Sequence, residues 1–193
     1  MTEIVLFHSV LGLRDGVFEA AERLRAAGHT VHVPDLYRGE AQFDDYEPAM
    51  AYVDTMGFPE LIARTMAAVE GLPNELVYAG FSNGGVPAQL LAGTRPGARG
   101  AVLFHAALSP AVLDVARWPD RVPVQVHYME GDPWREQDGI DALETAVRHI
   151  GGTFELCEYP GKGHLFTDSS LPDEYDGEST ELLWSRVLRF LGS

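Results

Sequence analysis

The chain has 193 residues, which is enough for one compact domain with a sizeable core and too few for two ordinary domains. Its hydrophobic fraction of 46% and charged fraction of 22% are typical of globular proteins and argue against a disordered chain. The formal net charge of −15 argues against nucleic acid and acidic membrane surfaces as partners, because the 14 Lys and Arg residues are scattered rather than clustered.

The cysteine content and the apolar segments of the sequence indicate in which cellular compartment the protein resides. The only cysteine, Cys157, can form neither an internal disulfide nor a thiolate metal cage. Met1 leads directly into an apolar segment with no basic leader or cleavage site, and no apolar run approaches the ~20 residues that span a bilayer. We therefore expect a cytoplasmic protein with no membrane partner.

Short apolar segments alternate with helical patterns along the whole chain. The apolar segments predict buried strands at 3–8, 29–34, 75–80, 100–105, 123–129 and 153–159. The helical patterns cover roughly 17–27, 59–70, 83–93, 139–150 and 178–191. This alternation predicts a single α/β domain over 1–193, with a mostly parallel, doubly wound sheet and helices on both faces.

Two longer segments interrupt the alternation, at 35–58 and at 106–122. Both follow a predicted strand and are long enough to overhang the carboxyl ends of the strands, where open parallel sheets bind ligands. The sequence leaves open whether they form a lid.

The segment Gly80-Phe81-Ser82-Asn83-Gly84 matches the G-x-S-x-G motif and lies between a predicted strand and a predicted helix, as that motif requires. The sharp turn would raise the Ser82 hydroxyl above the sheet, and the glycines would let neighbouring backbone pass closely. The Asn83 amide, at the helix start, could face a developing oxyanion. The alternative is that Ser82 only caps the helix.

A serine nucleophile needs a base and an acid that orients the base, and in this kind of fold they follow the serine in the order Asp, His. His164 lies in a glycine-containing loop after the sixth apolar segment, and Asp132 lies just past the fifth. We predict His164 as general base and Asp132 as its acid, with Glu130 and Asp138 as alternative acids.

The second oxyanion donor should come from the loop after the first strand, where we predict the Val10 amide. No His, Asp or Glu cluster has the spacing of metal ligands, so we expect neither a metal nor another cofactor. Residues beside these motifs are predicted to contact a small-molecule substrate, namely Ser9, Leu11, Tyr37, His105, Trp134 and Phe166.

Five motifs are spread over nearly the whole chain: the LFHSVLGL loop, VPDLY after the second strand, GFSNGG, EGDPW and YPGKGHLF. In these motifs the chain resembles the dienelactone hydrolase family of α/β hydrolases. The resemblance implies a six-stranded core in the order 2-1-3-4-5-6.

The sequence departs from that family at two kinds of position. Many dienelactone hydrolases have Cys where this chain has Ser82, and Glu where it has Ser9, so a serine mechanism replaces the thiolate one. They also place an Arg after the catalytic His to hold a substrate carboxylate, whereas Leu165 and Phe166 follow His164 here. Arg38 is offset from the family's other basic position.

Hydrolysis of a small ester or lactone through an acyl-serine is therefore the leading hypothesis. An acyltransferase or thioesterase with the same residues is the first alternative, and a non-catalytic α/β-hydrolase-like binding protein is the second. The substrate and the oligomeric state are not encoded in any motif of this sequence.

Overall fold

A computed structural model describes residues 1–192 and contains one six-stranded sheet. The strands are β1 (Glu3–Phe7), β2 (Thr30–His32), β3 (Val77–Phe81), β4 (Gly100–Phe104), β5 (Val124–Met129) and β6 (Phe154–Tyr159). Every neighbouring pair is parallel, and the order is β2-β1-β3-β4-β5-β6. The predicted fold class and strand order are confirmed.

Six α-helices connect the strands and follow the last one. They are α1 (Asp15–Ala26), α2 (Tyr46–Met56), α3 (Phe58–Ala68), α4 (Gly85–Thr94), α5 (Gln137–His149) and α6 (Gly177–Phe190). Five of them lie where the helical patterns predicted. The segment 106–122 contains only a short 3-10 turn at Pro110–Leu113.

Helix α2 was not predicted, and it lies within the segment 35–58. Its apolar residues recur at helical spacing, but Pro48 and Gly57 divide this stretch of sequence. Pro48 is harmless because it occupies the first turn, where backbone amides have no partner within the helix. Gly57 has φ +76° and separates α2 from α3.

The sheet is covered on both faces because successive side chains of a strand point to opposite faces. On one face, Val5 and Phe7 join a core formed with helices α3, α4 and α5. On the other face, Ile4 and Leu6 join a core formed with α1 and α6. Because all six strands run in parallel, their carboxyl ends meet at one edge of the sheet, where the candidate site lies.

Two kinds of feature are absent from the described residues. No helix in the range 1–192 is both long and apolar enough to cross a membrane. Within the same range, no group of three or more His, Cys, Asp or Glu side chains could hold a metal ion.

Candidate active site

Ser82 occupies a tight turn between strand β3 and helix α4. It has φ +49°, a conformation that non-glycine residues rarely adopt, and it begins a 3-10 turn that ends at Gly84. A side chain on Gly80 would collide with the Gly84 backbone, and one on Gly84 would collide with the backbone of Phe7 and His8. The glycines of the motif are therefore required by close backbone packing.

His164 joins Ser82 to Asp132 through hydrogen bonds at both of its ring nitrogens. Its Nε2 lies 2.7 Å from the Ser82 Oγ, and its Nδ1 lies 2.8 and 2.9 Å from the two carboxylate oxygens of Asp132. A carboxylate can only accept, so Nδ1 carries the proton and Nε2 accepts from the serine hydroxyl. We call these three residues the trio.

The loops that carry the trio hold one another in place. The Gly131 amide donates to the Gly161 carbonyl at 2.9 Å, which ties the turn before Asp132 to the loop before His164. Asp132 and His164 are both buried. Asp132 also accepts a 2.8 Å hydrogen bond from the Trp134 amide, so the same carboxylate orients both His164 and the turn to Trp134.

The two alternative acids lie apart from His164. Glu130 and Asp138 are exposed, and His164 makes its carboxylate contacts with Asp132 alone among the described residues. The structure thus places Asp132, and neither Glu130 nor Asp138, beside His164.

The two predicted oxyanion donors border the same cavity as Ser82. Asn83 lies at the start of the helical turn, where the first amides have no acceptor within the helix. The Val10 amide donates to no group in the range 1–192. The Tyr37 hydroxyl donates to the Val10 carbonyl at 2.8 Å, which fixes the orientation of this residue.

Two cavities flank Ser82. The larger, about 270 Å³, lies between the trio and helix α2. The smaller, about 180 Å³, extends toward the start of helix α5. Both are bordered by Ser82, Asn83, Trp134 and His164, so a substrate at the serine could occupy either cavity.

Of the six predicted substrate contacts, only His105 and Trp134 border these cavities. Ser9, Leu11, Tyr37 and Phe166 border neither cavity and are buried in the interior. The Ser9 hydroxyl accepts from the Leu11 amide at 3.2 Å and shapes the loop that carries Val10. The Tyr37 hydroxyl donates to the Val10 carbonyl of the same loop, and the Phe166 ring packs against His105.

His105 follows strand β4 and packs against the trio. Its ring centroid lies 5.8 Å from that of His164 and 4.8 Å from that of Phe166. Within the described residues, neither of its buried ring nitrogens has a hydrogen-bond partner. Burial, followed by the nearby His164 and His127, lowers the pKa of His105 well below its ordinary value, so the ring is neutral.

Helix α2 supplies cavity residues that the sequence analysis missed. They lie on one side of the helix, where the other three are each three or four positions from Met50: Tyr46, Met50, Val53 and Asp54. The apolar repeat of Tyr46, Ala49, Met50 and Val53 could have identified this helix.

Tyr46 is held over His164 by a hydrogen bond. Its hydroxyl donates to Glu174 at 2.8 Å, and its ring centroid lies 6.1 Å from that of His164. Burial, with a further contribution from the Glu174 carboxylate, raises the pKa of Tyr46 far above its ordinary value. Glu174 also accepts from the Leu165 amide at 2.6 Å, so one side chain links helix α2 to the histidine loop.

Asp168 does not face the cavities, although it follows His164 closely in sequence. It is buried and lies 3.4 Å from the guanidinium of Arg14, which also contacts Asp44 at 2.8 Å. Asp168 therefore stabilises the loop after His164, and it is a different acid, Asp54, that faces the larger cavity.

The family model of the dienelactone hydrolase family matches residues 1–193. The chain belongs to the dienelactone hydrolase family. Family membership and the fold together make it a hydrolase of the α/β-hydrolase superfamily that acts on ester bonds. No curated protein matches the sequence significantly.

Several solved structures share the fold at low sequence identity. A dienelactone hydrolase-like promiscuous phosphotriesterase from metagenomic libraries superposes with a TM-score of 0.84 at 22% identity, covering 100% of this chain and 86% of that one. A putative dienelactone hydrolase from Klebsiella pneumoniae has a TM-score of 0.76 at 18% identity, covering 100% and 87%. A thioesterase domain from the curacin biosynthetic pathway has a TM-score of 0.61 at 15% identity, covering 97% and 90%.

Proposed function

We propose that this family member is a serine carboxylesterase that cleaves a small ester or lactone through an acyl-serine intermediate. The observation that carries the proposal is the hydrogen-bonded trio, with Ser82 Oγ 2.7 Å from His164 Nε2 and His164 Nδ1 2.8 Å from Asp132. Serine, base and acid in this arrangement are what acyl transfer to a hydroxyl requires.

In the proposed acylation step, His164 accepts the hydroxyl proton as the Ser82 oxygen attacks the ester carbonyl carbon. The carbonyl oxygen becomes an oxyanion that the amides of Val10 and Asn83 stabilise. The imidazolium then returns its proton to the departing alcohol oxygen, which leaves an acyl-serine. Asp132 keeps the proton on Nδ1 and stabilises the positive ring.

Deacylation repeats these steps with water as the nucleophile. His164 takes a proton from water, the hydroxide oxygen attacks the acyl carbonyl, and the proton passes to Ser82 Oγ as the acid is released. A lactone follows the same sequence, except that the alcohol remains attached to the acyl group after ring opening.

The size and charge of the cavities support a small substrate without a carboxylate. The larger cavity, about 270 Å³, is below the usual range for drug-sized ligands. Arg38 lies outside both cavities, beside Glu60 at 3.9 Å, and no Lys or Arg among the described residues borders either one. A bound carboxylate would therefore lose water without gaining a cation.

Substrate charge can be tested with pairs of esters. We expect neutral short-chain esters or lactones to have at least about tenfold higher kcat/KM than matched carboxylate-bearing analogues, equivalent to ~1.4 kcal/mol in transition-state binding. Preference for the anionic analogue would contradict this, and loss of that preference in Arg38→Ala would identify Arg38 as the responsible cation.

The two alternative functions make different predictions. An acyltransferase or thioesterase would use the same trio, but it would transfer the acyl group to an added alcohol or amine, or prefer thioesters over oxygen esters. A non-catalytic binding protein would bind an ester without cleaving it.

We also propose that the chain forms a single domain and that the protein resides in the cytosol, since its one cysteine suits a reducing compartment.

The proposed reaction is tested with chromogenic esters of increasing acyl length. Wild-type protein should release the chromophore, with short acyl chains favoured by the small cavity. Ser82→Ala should lower turnover by roughly 10³ to 10⁶ while the fold is retained. Ser185→Ala, which changes an exposed serine on helix α6, is the matched control. Wild-type turnover in Ser82→Ala would refute the proposal.

A further inference from the structure

The larger cavity combines one carboxylate with aromatic walls. Asp54 is the single acidic side chain that borders this cavity in the described structure, and it projects from the same face of helix α2 as Tyr46 and Met50. Within residues 1–192 its carboxylate has no hydrogen bond and no ion pair. The Asp54 carboxylate is therefore available to form an ion pair with a cationic ligand.

Two aromatic rings complete the walls near Ser82. The ring centroids of Tyr46 and Trp134 lie 6.2 Å apart with an interplanar angle of 50°, and each lies 6.1 Å from the His164 ring. The hydrogen bond to Glu174 fixes the Tyr46 ring, whereas Trp134 is 46% exposed at the cavity mouth. Aromatic faces attract cations, and tilted rings around a small cavity are typical of sites for quaternary ammonium groups.

The second cavity carries the same sign of charge. Glu136 borders it, exposed at the start of helix α5, and it is bordered by neither Lys nor Arg in the described residues. The net charge of −15 adds a long-range attraction for cations. Both sides of the proposed nucleophile thus present negative charge to a substrate.

We propose that this enzyme prefers small esters that carry an ammonium group, with the cation packed against the Tyr46 and Trp134 rings on their cavity side and facing the Asp54 carboxylate. The inference rests on the proposed esterase function and names the substrate class of that same site. It also assigns helix α2 a role: the helix supplies the charge that distinguishes a cationic ester from a neutral one of equal shape.

The test compares butyrylcholine with 3,3-dimethylbutyl butyrate, in which carbon replaces the ammonium nitrogen without changing the shape. At low ionic strength, wild-type protein should have about tenfold higher kcat/KM for the cationic ester. Asp54→Asn should reduce that ratio at least about threefold, with the rings supplying the remainder. High salt should reduce the wild-type ratio as well, because the mouth of the cavity is open to solvent.

Asp45→Asn is the matched control, since Asp45 is an exposed acid directly before helix α2 and does not border the cavity. It removes the same charge from the protein, so the ratio should stay at the wild-type value if the effect is local. A wild-type ratio of one or less would overturn the proposal. An equal loss in Asp45→Asn and Asp54→Asn would also overturn it, because general attraction would then explain the preference.

A binding measurement separates this inference from the esterase proposal. In Ser82→Ala, calorimetry should detect tighter binding of choline than of 3,3-dimethylbutanol, and the additional change Asp54→Asn should remove most of that difference. If wild-type protein cleaved neither ester, the esterase proposal would fail, while tighter choline binding would still support the cation site. Equal binding of both alcohols would refute the cation site whatever the turnover.

Discussion

The two sides of the larger cavity are held by different means. On one side, Ser82, Asp132 and His164 follow strand ends and are connected by hydrogen bonds of 2.7 to 2.9 Å. On the other side, helix α2 has only Ala49 fully buried and contacts the histidine loop through the bond from Tyr46 to Glu174. The side proposed for the chemistry is held by the sheet and by these hydrogen bonds, and we call it the rigid side. The side proposed for substrate selection is a surface helix.

This difference suggests where each kind of variation is tolerated. Residues at strand ends are placed by the sheet itself, so their mutual distances depend on the packing of the whole core. A surface helix can change its exposed residues with little effect on that core. Substitutions on helix α2 should therefore alter which ester is cleaved, and substitutions in the trio should alter whether any ester is cleaved.

Apart from Ser82→Ala, the largest expected effect on the rigid side comes from Asp132→Asn. The amide would no longer favour the proton on His164 Nδ1, so the ring would lose the tautomer that accepts the serine proton. We expect kcat to fall by roughly 10⁴ with little change in KM. The measurement is steady-state hydrolysis of a short neutral ester.

Asp138→Asn is the control for that variant, because Asp138 is exposed in the first turn of helix α5. It should retain wild-type kcat. If Asp138→Asn or Glu130→Gln lowered kcat instead of Asp132→Asn, the acid would be misassigned.

A second prediction concerns the acid sensitivity of the rigid side. His105 is neutral in the fold because burial lowers its pKa, whereas in the unfolded chain it takes up a proton near pH 6.5. The folded state keeps His105 neutral, so His105 costs no unfolding free energy above about pH 6.5. Below that pH the unfolded chain gains a proton at His105 that the folded protein does not, and the free energy of unfolding decreases. The free energy of unfolding of the wild-type protein should therefore decrease as the pH falls from about 6.5 to about 4.5, and part of that decrease should come from His105.

The replacement His105→Asn isolates this contribution, because asparagine does not titrate and tolerates the φ of +59° at this position. Denaturant unfolding at the two pH values should give a smaller decrease for this variant than for wild type. His149→Asn, at an exposed position in helix α5, should retain the wild-type decrease. Equal decreases in all three proteins would show that His105 becomes protonated in the folded state.

The smallest change in kcat among these predictions is expected from the loop after strand β2, in which Tyr37 orients Val10. Tyr37→Phe removes the hydroxyl that donates to the Val10 carbonyl, which leaves this residue less well oriented. We expect kcat to fall about tenfold, which is less than the 10² to 10³ lost when an oxyanion donor is removed outright. Tyr52→Phe, which removes an exposed hydrogen bond to Glu40 and a contact with Arg64, is the control. Wild-type kcat in Tyr37→Phe would exclude this role.

The same contrast explains how much could be predicted from the sequence. The six strands and the proximity of Ser82, Asp132 and His164 follow from local patterns, since each of these residues comes directly after or shortly after an apolar strand. Parallel strands then bring their carboxyl ends to one edge. The geometry of the trio was predictable for that reason, while its role in catalysis stays a prediction.

The substrate contacts were not predictable by the same reasoning. Ser9, Leu11, Tyr37 and Phe166 adjoin the motifs in sequence, but neighbouring side chains in strands and turns point in different directions, and these four point into the interior. Asp54 and Met50 adjoin no motif and reach the cavity because helix α2 folds over it. That placement depends on tertiary packing and on the bond between Tyr46 and Glu174.

Covalent labelling of the intact protein with a fluorophosphonate measures directly whether His164 and Asp132 activate Ser82. Mass spectrometry should find one adduct, on Ser82, formed rapidly in wild-type protein, at least about 10³ times more slowly in Asp132→Asn, and not at all in Ser82→Ala. No adduct in wild-type protein, or an adduct on another residue such as Cys157, would show that Ser82 is not the activated nucleophile.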